Sequence, residues 1–194
     1  MSQTTQQPGA LVWINGIAGV GKLTIARSLV KLLGGPDKAA LIDNHTLIDV
    51  VTLPRDHPDY YLERREARRL CFEQHVVCEA STPDMAKIIV FTDWQSDNEL
   101  GQSVAEEYHD AANRSCRRFV PIYLECEREE NVRRATSRST EGKRKLTDEK
   151  VLRDYMDNSR LFEFEHVDGL RCDVTKRLPE DVAAELAGII GGRP

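Results

Sequence analysis

A chain of 194 residues with 40% apolar and 30% charged side chains fits one globular domain, and excludes collagenous, mucin-like and wholly disordered classes. Basic residues number 27 against 32 acidic ones, a formal charge of -5 that repels long nucleic acid over most of the surface and requires any anion site to be local. Five cysteines, Cys71, Cys78, Cys116, Cys126 and Cys172, are odd in number and contain no Cys-x-x-Cys pair, so they read as reduced core cysteines rather than disulfides or zinc ligands.

Residues 1–9 are read as a flexible start. They show no basic, apolar and small-residue order of a secretory signal, and no apolar run in the chain reaches the roughly 20 residues that span a bilayer. A cytoplasmic chain without membrane contact is expected, and residues 10–194 are expected to form a single domain. Five short, β-branched runs, 10–14, 40–43, 88–91, 119–124 and 170–174, alternate with helical stretches. That alternation predicts an α/β fold, a five-stranded parallel sheet flanked by helices. Ligands gather at the carboxyl ends of such strands, so 15–24, 43–45, 92–95 and 173–175 should form one rim.

The first strand runs into Gly16-Ile17-Ala18-Gly19-Val20-Gly21-Lys22-Leu23-Thr24 and then into a helix that Gly34-Gly35-Pro36 should stop. Glycines at these positions let successive backbone N–H groups turn onto phosphate oxygens, while Lys22 adds a mobile positive charge and the helix start adds its dipole. This is the spacing and context of a P-loop, a nucleoside triphosphate cradle. One position departs: Leu23 follows the lysine, and the hydroxyl that helps hold magnesium comes a residue later, on Thr24, whose alternative role is to cap the helix.

The loop with its threonine two residues after the lysine resembles that of adenylate kinases. Across roughly 10–190 the order of elements is similar to the P-loop small-molecule and nucleotide kinases, including shikimate and gluconate kinases and chloramphenicol phosphotransferase. The resemblance implies a P-loop nucleoside triphosphate hydrolase fold with a lid, ATP and Mg2+ as cofactors, and a small-molecule acceptor. Asp43 ends the second strand, where such kinases carry a catalytic or substrate-binding aspartate; it can orient an acceptor hydroxyl and take its proton, or cap the next helix. His45 could assist it. Asp93, ending the third apolar strand, is the candidate for organising the metal, although the two aspartates could exchange roles. Trp94 and Gln95 follow and could stack on and hydrogen-bond the acceptor.

Over 62–78 the spacing is helical, with Ala67, Leu70, Cys71, Val77 and Cys78 on one face and Arg64, Arg65, Arg68 and Arg69 within an arc of about 140° elsewhere. Arg64 or Arg68 could grip an acceptor's phosphate or carboxylate; the alternative is a solvated face paired with Glu63 and Glu66. After the fourth strand, Arg134 and Arg138 lie one helical turn apart, and residues 131–150 hold seven basic and three acidic residues. That excess suits the charge on a transferring phosphoryl group, with 137–147, carrying Lys143, Arg144 and Lys145, as the lid. Asp173 and Thr175, after the last strand, fall where related kinases border the adenine. Two other readings fit the same loop: a 5′-hydroxyl polynucleotide kinase, which the net acidity disfavours, and an ATP-hydrolysing module without an acceptor, which Leu23 keeps open. The oligomeric state is left open.

Overall fold

The computed structural model describes residues 7–77, 83–137 and 148–192. Five parallel strands, β1 (Leu11–Gly16), β2 (Ala39–Asp43), β3 (Ile88–Asp93), β4 (Phe119–Glu125) and β5 (Leu170–Asp173), stand in the order β2-β3-β1-β4-β5. Helices α1 (Lys22–Leu32), α2 (Asn44–Asp49), α3 (Tyr60–His75), α4 (Glu99–Arg114), α5 (Arg128–Thr136), α6 (Glu149–Asn158) and α7 (Pro179–Gly191) connect and flank them. This is the five-stranded parallel sheet flanked by helices that the alternation predicts. Among the described residues, no helix is long and apolar enough to cross a membrane.

β1 is the central strand and is buried along its whole length, because both its faces are covered. Its side chains alternate accordingly. Val12 and Ile14 join Ile25 and Leu29 of α1 and Val182 and Leu186 of α7, whereas Leu11 and Trp13 join Phe72 of α3 and Tyr108 of α4. Trp13 is the hub of the second layer, with ring contacts to Tyr108, Tyr123, Phe162 and Phe164. β1 and β3 extend two residues beyond their apolar runs, so that Asn15 pairs in register with Asp93 and Gly16 with Leu124. The polar ends of the strands thereby form the floor of one rim.

Three expectations are corrected. In α3 the buried residues are Tyr60, Arg68 and Phe72; Leu70 is 54% exposed and Ala67 and Cys71 are half-buried. Arg68 is 4% exposed because Glu107 of α4 receives its Nε and Nη2 at 2.8 and 3.1 Å, a partner that periodicity within one helix cannot reveal. The cysteines are not uniformly core: Cys172 is buried, Cys71 and Cys126 are half-buried, and Cys116 is exposed in a turn with φ 53°, while Cys78 lies outside the described residues. Gly9 is anchored rather than loose, with its N–H on the Met85 carbonyl at 2.8 Å and its carbonyl accepting from Arg117 at 2.9 Å.

Candidate active site

The loop between β1 and α1 is shaped from below. Asn15, fully buried, uses its whole carboxamide: Oδ1 accepts from the N–H groups of Gly16 (3.0 Å) and Gln95 (2.8 Å), and Nδ2 donates to the carbonyls of Gln95 (3.1 Å) and Phe162 (2.9 Å). One side chain therefore ties the loop to the end of β3 and to the segment entering β5. From the other side Asn131 of α5 donates to the Ala18 carbonyl at 2.7 Å. Gly19 and Gly21 have φ of 98° and 107°, a left-handed conformation glycine adopts without strain, and Gly21 caps α1. Lys22 opens α1, its ammonium donating to the carbonyls of Gly16 and, at 3.0 Å, Ile17.

A cavity of about 700 Å³ lies over this loop. It brings together Ala18, Gly19, Gly21, Lys22, Leu23 and Thr24 from the loop, Asp43 and His45 from the β2–α2 junction, Arg64 from α3, and Asp93, Trp94 and Gln95 from the end of β3. Gly16, Ile17 and Val20 are left below: a Cβ on Gly16 would lie 2.9 Å from Val20, and Ile17 faces a second cavity of about 420 Å³ with Leu124 and Met156. Trp94 and Tyr155, packed edge to face at 5.0 Å, line both cavities.

The two aspartates differ in setting. Asp93, 1% exposed, is held by three donors: Asn44 Nδ2 at 2.6 Å, the Trp94 N–H at 2.7 Å and Gln95 Nε2 at 2.8 Å. Its strand neighbours β1, so it stands beside the loop. Asp43 ends the outer strand and occupies the N-cap position of α2, but its side chain makes no capping bond and instead accepts the Thr92 hydroxyl at 3.0 Å. Burial first, and the Asp93 charge second, push the Tyr108 phenol well above its ordinary value, so a neutral hydroxyl lies behind Asp93. Arg64 reaches Asn44 Oδ1 (3.3 Å) and the Tyr60 hydroxyl (3.4 Å), so Asn44 links the arginine to Asp93.

Other expected residues stand elsewhere. Arg68 is turned away from the cavity into its pair with Glu107. Arg134 is held by Glu130 at 2.7 Å and donates to the carbonyls of Val174 (3.1 Å) and Thr175 (2.7 Å), clamping α5 to the loop after β5. The hydroxyl and N–H of Thr175 both bond Asp173, which holds that carboxyl below its usual range, and the same hydroxyl accepts the Glu127 N–H at 2.9 Å. This network braces the β5–α7 loop and does not line the cavity. Arg138 and 138–147 of the lid candidate, with Lys143, Arg144 and Lys145, lie outside the described residues. Asn15 falls within the rim expected of 15–24, though as the brace beneath the loop; sequence reasoning missed Asn131, Arg27, Arg55 and Tyr155. Arg27, one helical turn past Leu23 on α1, was the one such lining residue with a periodic signal.

No family model and no curated protein matches the chain in sequence. Its fold does match solved structures. An APS kinase of Mycobacterium tuberculosis in complex with AMPPNP and APS aligns at TM-score 0.63 and 14% identity over 96% of this chain and 99% of that one. A gluconokinase from Sinorhizobium meliloti 1021 aligns at 0.61 and 11%, over 95% and 93%. The tunicamycin resistance protein of Deinococcus radiodurans aligns at 0.58 and 15%, over 95% and 97%. The chain thus has the fold of the P-loop kinases, at an identity that carries the fold alone.

Proposed function

We propose that this chain is an ATP-dependent phosphotransferase that moves the γ-phosphoryl group to a hydroxyl or phosphate of a small molecule. One observation carries the reading: the glycine loop with Lys22 and the strand-end carboxylates Asp43 and Asp93 open onto the same cavity. The loop suits a polyphosphate in this reading, because Gly19 and Gly21 take the left-handed turns that let backbone amides converge and the α1 N-terminus lies at its end. Asp93 and Thr24 offer the hard oxygen donors that suit Mg2+, which when bound supplies positive charge against the phosphates.

In this reading the loop amides and Lys22 bind and orient the donor. Asp93, gripped by Asn44, Trp94 and Gln95, keeps a fixed carboxylate on the metal side. Asp43, a strand further out and at the head of α2, orients the acceptor hydroxyl and takes its proton. His45, Arg64, Trp94 and Gln95 surround the acceptor, and the arginine favours one bearing an anionic group. Arg134 orders the loop after β5 that borders the base, with Asp173 and Thr175, and Arg138 is assigned to the developing charge. A matching fold in the APS kinase, the gluconokinase and the resistance protein supports the general class.

The test is transfer from labelled ATP with magnesium to a fractionated small-molecule pool and to 5′-hydroxyl oligonucleotides. The expected outcome is label in a small-molecule fraction, reduced about 10²-fold or more by Lys22→Ala with thermal unfolding nearly unchanged. Label confined to oligonucleotide ends, ATP hydrolysis indifferent to every acceptor, or full activity in the variant would overturn the reading.

A further inference from the structure

Away from the cavity, Glu106 and His109 lie one turn apart on α4, on the same face. His166 comes to them from the segment between α6 and β5. One ligand atom from each side chain lies within 4.8 Å of the other two. Glu106 divides its oxygens between the imidazoles, Oε2 standing 3.4 Å from His109 Nδ1 and Oε1 3.8 Å from His166 Nε2. Those separations are long for N–H···O bonds, which favour about 2.7–3.2 Å. Donors at about 2.0–2.1 Å from a tetrahedral ion stand about 3.3–3.4 Å from each other; the His109 separation matches that edge, and the His166 one, measured to the other carboxylate oxygen, exceeds it, so the exposed His166 ring has to move inward to close on the ion.

The surroundings hold the imidazoles in place. The His109 ring packs against Phe119 at 5.2 Å and Phe164 at 5.5 Å, and His166 packs on Phe164 at 5.5 Å and on His109 at 5.4 Å. Glu106 and His109 are half-buried, and the His166 side chain is 59% exposed, which leaves a solvent side for a water as fourth donor. Two imidazole nitrogens and one carboxylate oxygen select Zn2+, Ni2+ or Co2+ over Mg2+ and Ca2+.

We infer that Glu106, His109 and His166 form a binding site for a zinc-class divalent ion that clasps the 159–169 segment onto α4. The near part of this segment is already fastened: the Arg160 carbonyl accepts from Asp97 at 2.8 Å, the Phe162 N–H donates to Gln95 at 3.0 Å, and the Phe164 N–H reaches the Tyr123 hydroxyl at 2.9 Å. The ion closes the far part at His166. Because the Phe162 carbonyl also holds Asn15, the clasp stiffens the strap that supports the glycine loop without supplying any group to it.

The experiment uses the full chain, stripped with chelator and titrated with ZnCl2 by calorimetry, with thermal unfolding in parallel and Co2+ as a spectroscopic substitute. Expected are saturable one-site binding, a raised Tm, and the visible absorption of four- or five-coordinate Co2+, none reproduced by MgCl2. His166→Ala, at an exposed position, and Glu106→Gln should each weaken Zn2+ binding by about tenfold or more and abolish the Tm rise. His109→Ala should do the same, and if it fails to fold the other two variants decide. No binding heat, or Zn2+ affinity and Tm rise unchanged in His166→Ala and Glu106→Gln, would overturn the site, including the case in which the ion binds elsewhere.

Discussion

A methyl group on Gly19 has no room. It would stand 2.8 Å from both Nδ2 and the backbone oxygen of Asn131 and 2.9 Å from the Ala135 Cβ, at a φ of 98° that an L side chain resists. Backbone and helix α5 would have to shift together, and the Asn131 bond to the Ala18 carbonyl would go with them. Gly19→Ala should therefore cost about 1–3 kcal/mol of stability and weaken nucleotide binding more than it weakens folding, measured by thermal unfolding against titration with ATP. Unaltered nucleotide affinity would separate the loop's shape from its binding. The same scale explains the contrast between the aspartates. Three donors fix Asp93, whereas Asp43, at the start of α2, accepts the Thr92 hydroxyl and makes no capping bond.

At the scale of elements, α3 is attached to α4 through charge as much as through apolar contact. Arg68 and Glu107 form a two-bond pair, the arginine buried and the glutamate largely so, and Arg65 stands 3.7 Å from the same carboxylate. Removing one partner leaves the other charge in a low-dielectric site, so Glu107→Ala should destabilise by about 3 kcal/mol, as read by chemical denaturation, while Glu66→Ala on the exposed face should change stability little. Helix α5 depends on a different carboxylate. Glu130 accepts from Arg133 and from Arg134, which hold its pKa down at about 2 from an ordinary 4.5. A carboxyl depressed in the folded state contributes its stability in full above the ordinary value and loses it as pH falls toward the folded one. Between about pH 4.5 and 2, then, α5 and the loop clamped by Arg134 should loosen, and Glu130→Gln should remove that part of the acid transition. Hydrogen exchange of α5 amides across this range checks it; an identical acid profile in the variant would assign the transition to other carboxylates.

For the whole molecule, the central strand and its two covering layers put every strand end at one rim, and the aromatic layer around Trp13 carries the strap from α6 to β5 across one face. Thiol chemistry reads out this layering. Burial pushes the Cys71 thiol up to about 11, which keeps it protonated at neutral pH, and it also raises the Cys172 thiol. Cys116 is exposed. Labelling of the native protein at pH 8 should modify Cys116 first and Cys71 and Cys172 only on unfolding, followed by mass spectrometry of the peptides. Early modification of Cys172 would mean that the layer of α1 and α7 opens in the native state.

Much of this architecture was legible in the residues. Each strand shows itself within four to six positions by β-branched and apolar side chains, and the cradle shows itself by the interval from Gly16 to Lys22, because period and spacing are local properties of a chain. β3 ends at Asp93 as its apolar run finishing in an acid implies, whereas β1 runs two residues past its apolar run, since Asn15 looks like a turn residue until its partners are known. Only the tertiary structure decided which polar groups meet. Asn131 grips a carbonyl 113 residues away, Arg68 finds its carboxylate 39 residues on, and Arg134 turns to the loop after β5 instead of the cavity. The reason is the cost of leaving a polar group buried without a partner: that cost selects pairings across the fold, and no periodicity along one helix or strand records them.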